Sequence, residues 1–242
     1  MIAVKETPSV TQDSTWKGAY KAGGIALIIG SVLSFAAVPV GLSIGRTYST
    51  GEGLIKWAAA SKPLFLLFHI LIISGALAFV PAGLVLFLAL KDVTRAGMLI
   101  AVSLWELEFL DIVREAVRYS VTSLSDGYFA ASSDAQRAAY VAVADLVNGV
   151  SSGLILIFLD AIFFASTLII GVVMLRKPRI FNKAIAYWGI VGSIFGLAGS
   201  PYSPLVFPIG ALGISLAIGL LLVYAWGVPV GYKLYKLGSV ST

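Results

Sequence analysis

The chain has no cysteine and only one histidine, His69. Without thiols there is no disulfide, no thiol nucleophile, no iron–sulfur cluster and no cysteine-ligated zinc. A single imidazole removes histidine-pair metal sites and bis-histidine haem ligation. No metal and no cofactor is therefore expected. Charge is also scarce, since 29 of 242 residues, or 12%, are Asp, Glu, Lys or Arg, against roughly 25% in soluble domains. What is abundant is apolar: 59% of residues are hydrophobic and the mean hydropathy is +0.96. A water-soluble globule of this size cannot hide that much apolar surface. Disordered chains, soluble enzyme domains and nucleic-acid binders are thereby excluded. The expected class is all-α: a polytopic transmembrane helix bundle in the cell membrane, with the lipid bilayer as its first partner.

Six apolar runs suit helices that cross the hydrocarbon, a task needing about 20 residues each. They are Gly23–Ile44, Leu64–Leu90, Gly97–Leu124, Leu154–Leu175, Ala184–Ala198 and Leu205–Tyr232. No strand-like alternation argues for a barrel. The division expected is an N-terminal cytoplasmic segment over 1–22, a six-helix domain over 23–236 and a tail over 237–242. Residues 1–21 are polar and mixed, so the first run reads as an anchor rather than a cleaved signal. Eleven Lys/Arg fall at the N-terminus, the second and fourth connections and the C-terminus, against four (Arg46, Lys56, Lys62, Arg137) on the opposite side. Basic residues accumulate in cytoplasmic loops, so both termini are expected to be cytoplasmic. The pI near 9.4 follows from that bias.

Further details of the bundle are legible. A helix unbroken from Ala135 to Leu175 would run about 60 Å, which predicts a kink near Gly149–Gly153 or an extension outside the membrane. Small residues four apart, Gly41 with Gly45 and Gly192 with Gly196 and Ser200, predict close helix packing, within one bundle or between copies. Trp16, Trp57, Trp188 and Trp226 read as interfacial anchors. The uncharged Gly199–Pro208 connection with its three prolines reads as a tight outer turn. The Arg176–Arg179 turn reads as a topology determinant or, more sharply, an anionic-lipid site.

One stretch breaks the pattern. Trp105–Arg118 places Glu106, Glu108, Asp111, Arg114, Glu115 and Arg118 inside the third run. A charge at the bilayer centre costs about 2.5–3.5 kcal/mol on insertion scales, so such groups should face protein or water and pair. At about 100° per residue, five of the six share one face spanning roughly 120°, with Glu106 opposite. Asp111 with Arg114 and Glu115 with Arg118 have pairing spacing. Counting depth from the inner ends, Asp160 of the fourth run lies level with Asp111, and His69 of the second near Tyr119. The expected site is a buried cluster of Asp111, Arg114, Glu115, Arg118 and Asp160, with Glu108 on the same face and His69 and Asp145 toward its outer mouth. Three uses suit it: ion pairs that fix helix register, a proton-relay or binding site, or contact with an interface or partner subunit.

The basic turn Leu90–Arg95, the charged helix Leu110–Arg118 and the hairpin Gly171–Gly192 together resemble a prokaryotic six-helix membrane family known only as a domain of unknown function (number 4386). The resemblance covers the chain from about Lys21 and implies six helices but no activity. The third run is more acidic than that family's pattern. No phosphate loop, catalytic triad or dinucleotide fingerprint is present. A non-catalytic membrane subunit or scaffold, with other subunits or further copies of itself as partners, therefore asks least of the sequence. Next comes a small-molecule or proton-linked transporter using the third-run charges, with a lipophilic ligand. An intramembrane enzyme on a lipophilic substrate, a carboxylate acting as general acid or base, comes last.

Overall fold

A computed structural model describes residues 16–44, 50–151, 154–176, 180–199 and 209–239. All regular structure among them is α-helical. The elements are α1 (Lys17–Ile44), α2 (Gly51–Ala60), α3 (Lys62–Leu90), α4 (Arg95–Glu106), α5 (Phe109–Tyr119), α6 (Val121–Ala130), α7 (Asp134–Ser151), α8 (Leu154–Leu175), α9 (Lys183–Gly199) and α10 (Ile209–Ser239). Four segments are long and apolar enough to cross a membrane: Lys17–Ile44, Lys62–Leu90, Phe158–Leu175 and Ile214–Ser239. The expected third run is divided. Its helix tightens at Leu107 and Glu108, where Glu108 N–H donates to the Trp105 carbonyl, three residues back, at 3.1 Å. It divides again at Ser120. The turn at 177–179, the connection at 200–208 and the second half of the expected kink, 152–153, lie outside the described residues.

Each row of helix packs antiparallel to the next, and the last returns to the first. α1 packs on α3, α3 on α4 and α5, α4 on α8, α8 on α9, α9 on α10, and α10 on α1. Glycine makes the closest approaches possible. A Cβ on Gly24 of α1 would meet Tyr235 N at 2.5 Å and the Gly231 carbonyl of α10 at 2.6 Å. The N-terminal end of α1 therefore lies beside the C-terminal end of α10. Gly196 likewise lies against Phe164 and Gly219, so the Gly192/Gly196 pair serves packing within the chain.

The interior has two halves. Toward the α1 N-terminus it is apolar, built on Leu27, Leu86, Met98, Ile170, Phe181, Trp226 and Leu234, all essentially inaccessible. Trp226, expected as an interfacial anchor, is thus buried, its ring against Gly189. The absent side chain at Gly189 leaves room for an indole, and sequence proximity to a span end did not reveal that. Trp16 and Trp188 are exposed, while Trp57 donates its indole N–H to the Ile44 carbonyl at 2.9 Å. At the opposite end, α2, α6 and α7 form a cap, joined to the bundle by Leu54, Ala58, Phe65 and Val121. Lys62 ties α3 to Asp126 of α6 at 2.6 Å, and Tyr128 of α6 donates to Glu52 of α2 at 3.1 Å.

Two outcomes test this packing. Gly24→Val should destabilise the detergent-solubilised protein by about 1–3 kcal/mol, as overpacking does, because the facing atoms are backbone and cannot yield. Gly18→Ala, with nothing within 4 Å of the new Cβ, should leave thermal stability unchanged or slightly raised. The cap carries a pH prediction. The hydrogen bond from Lys56, then that from Tyr128, hold the Glu52 carboxyl below its ordinary 4.5. A depressed carboxyl keeps its contacts above the ordinary value and loses them as pH falls through the lower one. Hydrogen exchange of α2 amides, corrected for intrinsic rate, should be flat from neutral pH to 4.5 and accelerate only below it.

Candidate functional site

The charged helix α5 presents two unlike faces. Leu110 and Val113 are exposed outward, whereas Arg114, Glu115 and Arg118 are buried inward at 8%, 1% and 4% exposure. Ions withdrawn from water must be paired or neutralised, and α5 supplies most of the pairing itself. Arg114 Nη2 lies 2.5 Å from Asp111 Oδ1 and 2.6 Å from Glu115 Oε1. Arg118 Nη1 lies 3.8 Å from the same Glu115 oxygen.

The remaining partners come from neighbouring helices. His69 of α3 places Nδ1 2.7 Å from the Phe65 carbonyl and Nε2 3.2 Å from Glu115 Oε2. A carbonyl oxygen can only accept, so Nδ1 carries the hydrogen. Nε2 and the carboxylate oxygen then approach one another usefully only with one proton between them. Asp111, Arg114 and Glu115 line a cavity of about 300 Å³ together with Asp160 of α8. Its remaining walls are Val38, Gly41 and Leu42 of α1, Phe68 and Ile72 of α3, and Leu216, Ala217, Leu220 and Tyr224 of α10. Glu108 stands within electrostatic reach of Asp111, Asp160 and Arg114, and its Oε1 is buried without a hydrogen-bond partner.

An aromatic layer lies beneath this cavity, on the side of the chain termini. Tyr224 stacks on Phe79 at 6.2 Å between centroids, Trp105 meets Phe79 edge-on at 5.5 Å, and Phe163 contacts both Trp105 and Tyr224. Trp105 Nε1 donates to the Phe79 carbonyl at 3.1 Å, fixing the layer to α3. The cavity is therefore bounded on one side by packed rings, with Tyr224 belonging to both.

Most of the residues that spacing singled out lie close together. Asp111, Arg114, Glu115 and Asp160 meet at one cavity, Arg118 is buried beside them, and Glu108 joins them from the tightened turn. Ser166 of α8 donates to the Ala101 carbonyl at 2.7 Å, which fixes the antiparallel register that levels Asp160 with Asp111. His69 sits at the heart of the cluster, about one turn deeper than its expected place near Tyr119. Asp145 is elsewhere: its carboxylate accepts from Gly51 N–H at the start of α2, where the unpaired amides of a helix N-terminus attract an anion. The reason is that α7 packs on α2 and α6 and barely touches α8. Glu106 points away from the cluster toward Gly83, as its helical angle required. Spacing missed Tyr224, and its only sequence signal is a hydroxyl in the middle of an apolar run.

Among the described residues, no group of three or more His, Asp or Glu side chains is arranged so that it could hold a metal ion. No family model, curated protein or solved structure matches the chain. The chemistry on offer is hydrogen bonding, ion pairing and proton exchange among carboxylates, guanidinium groups and one imidazole. Arg114 is the common partner of two carboxylates, so Arg114→Met should destabilise the protein by about 3–5 kcal/mol, the usual result of stranding buried charge. Adding Asp111→Asn and Glu115→Gln should restore much of that loss in detergent unfolding. An Arg114→Met protein as stable as the parent would refute the pairing.

Proposed function

We propose that the protein is a multi-pass membrane carrier that binds a small amphipathic solute at the Asp111–Arg114–Glu115–Asp160 cavity and couples its passage to a proton. One observation carries this reading: the buried charges reach a cavity of about 300 Å³ with largely apolar walls. Ion pairs serving register alone need no space beside them. On sequence alone the subunit or scaffold reading asks least, but a chain with its own polar cavity has something to bind. The approach of His69 Nε2 to Glu115 Oε2 at 3.2 Å supports coupling, because a proton taken up or released between them would change what Arg114 must balance.

Six crossings with both termini cytoplasmic suit the same reading. An even number of rows is supported by the ends of α1 and α10 lying together, and the orientation by the basic bias. The α4–α6 row would serve as the third crossing with its apolar face to lipid and its charges inward, as expensive intramembrane charges require. The α9 row, about 25 Å long at 1.5 Å per residue, would be a short fifth. Membership of the six-helix family of unknown function belongs to this proposal, on the three stretches named above.

Reconstituted into proteoliposomes, the protein should take up amphipathic solutes in response to an imposed pH gradient. Asp111→Asn and Glu115→Gln should each reduce that uptake about tenfold or more, the scale of one lost charged hydrogen bond. Uptake that survives both substitutions unchanged would remove the basis for the assignment.

A further inference from the structure

The cavity's hydrogen-bonding inventory is specific enough to select among solutes, and the choice of solute rests on the binding reading above. Arg114 lines the cavity, is 8% exposed, and spends a single nitrogen, Nη2, on both Asp111 and Glu115. Its Nε and Nη1 are buried without a hydrogen-bond partner. Buried guanidinium donors left unsatisfied are costly, so an acceptor, best a carboxylate, is favoured beside this residue. The same cavity presents acceptors in excess. Asp111, Glu115 and Asp160 line it beside Arg114, and Glu108 stands within electrostatic reach. Arg118 lies against Glu115, and His69 is the further group here, among the described residues, able to carry positive charge. Carboxylates in that number favour a donor-rich cation, an ammonium, next to Asp111 and Asp160. Apart from the Tyr224 side chain, the rest of the lining, including Leu42, Ile72 and Leu220, is apolar.

Each simpler solute leaves part of this unmet. An amphipathic amine leaves the Arg114 donors unsatisfied, an amphipathic carboxylate adds to the crowd of negative charge, and a neutral hydrocarbon addresses neither. We propose that the solute is a zwitterion with an apolar body, of the size of a small α-amino acid, its ammonium against Asp111 and Asp160 and its carboxylate against Arg114. Such a solute adds no net charge to the site, so the surplus carboxylate is left to a proton. A volume of about 300 Å³ accommodates a branched aliphatic amino acid. The aromatic layer, through Tyr224, bounds the cavity on one side.

Three probes sharing one hydrocarbon body separate the alternatives: leucine, leucinamide, which is only a cation, and 4-methylpentanoate, which is only an anion. Binding to the purified full-length protein can be followed by tryptophan emission, since Trp105 lies in the layer beneath the cavity. Leucine should bind about tenfold or more tightly than either analogue, the effect of one lost charged contact. Arg114→Lys should weaken leucine by a similar factor and remove most of its advantage over leucinamide. Leucinamide binding as tightly as leucine would overturn the zwitterion and leave the binding reading standing with an amine as its solute. The same result with 4-methylpentanoate would assign an anion instead. If none of the three binds while proton-driven uptake of other solutes persists, the solute class is wrong and the carrier reading survives. If uptake is absent as well, both fall.

Discussion

In a low-dielectric interior, a guanidinium ion placed between two carboxylates decides what its surroundings can be. Arg114 reaches both Asp111 and Glu115 through one nitrogen, and none of the three could be left alone there without a penalty of several kcal/mol. The inward face of α5 is therefore fixed. Once Glu115 points inward, α3 must bring His69 to it, and α8 must pass close enough to set Asp160 beside Asp111. The helices around α5 take their rotation from this pairing as much as from apolar packing. Four of these helices are long and apolar enough to cross a membrane, where water would not drive apolar surfaces together and such polar contacts would carry a larger share of the work.

Packing by small residues does the complementary job. Gly24 against Gly231, and Gly196 against Gly219, bring helix backbones within a distance that any side chain would forbid. The α1–α10 approach is tightest in the half where the interior is apolar. In the other half Val38, Gly41 and Leu42 of α1 face Leu216, Ala217 and Leu220 of α10 across the cavity. Close contact at one end and a cavity at the other are two results of where small residues fall along the same two helices. The aromatic layer of Phe79, Trp105, Phe163 and Tyr224 marks the boundary between them.

How much of the site the sequence carried depends on the distance over which each rule acts. Helical angle is local, so Asp111, Arg114, Glu115 and Arg118 could be assigned to one face, and Glu106 to the other, from position alone. Position along an apolar run is nearly as local, because the run has two ends to count from, and it placed Asp160 level with Asp111. The same count put His69 only near its partner, since a helix that tightens at Leu107–Glu108 no longer rises evenly. Asp145 shows where counting fails: its helix leaves the bundle to pack on α2, and a carboxylate counted toward a polar mouth caps a helix instead. Trp226 fails for a related reason, because the space that receives it is created by Gly189 on another helix.

The sequence alone determined the apolar, membrane-like character of the helices, the helical class, the scarcity of reactive groups and the stretch where charge is concentrated. Those are properties of single helices in a medium that penalises exposed polarity, and they need no knowledge of neighbours. Only the tertiary structure decided that the charges open onto a cavity, that Tyr224 and an aromatic layer bound it, and that three helices pack together as a cap on the bundle. Each of these depends on which side chains from distant parts of the chain share a few ångströms of space. A helical repeat cannot encode that, because the repeat fixes the direction of a side chain and not what stands opposite it.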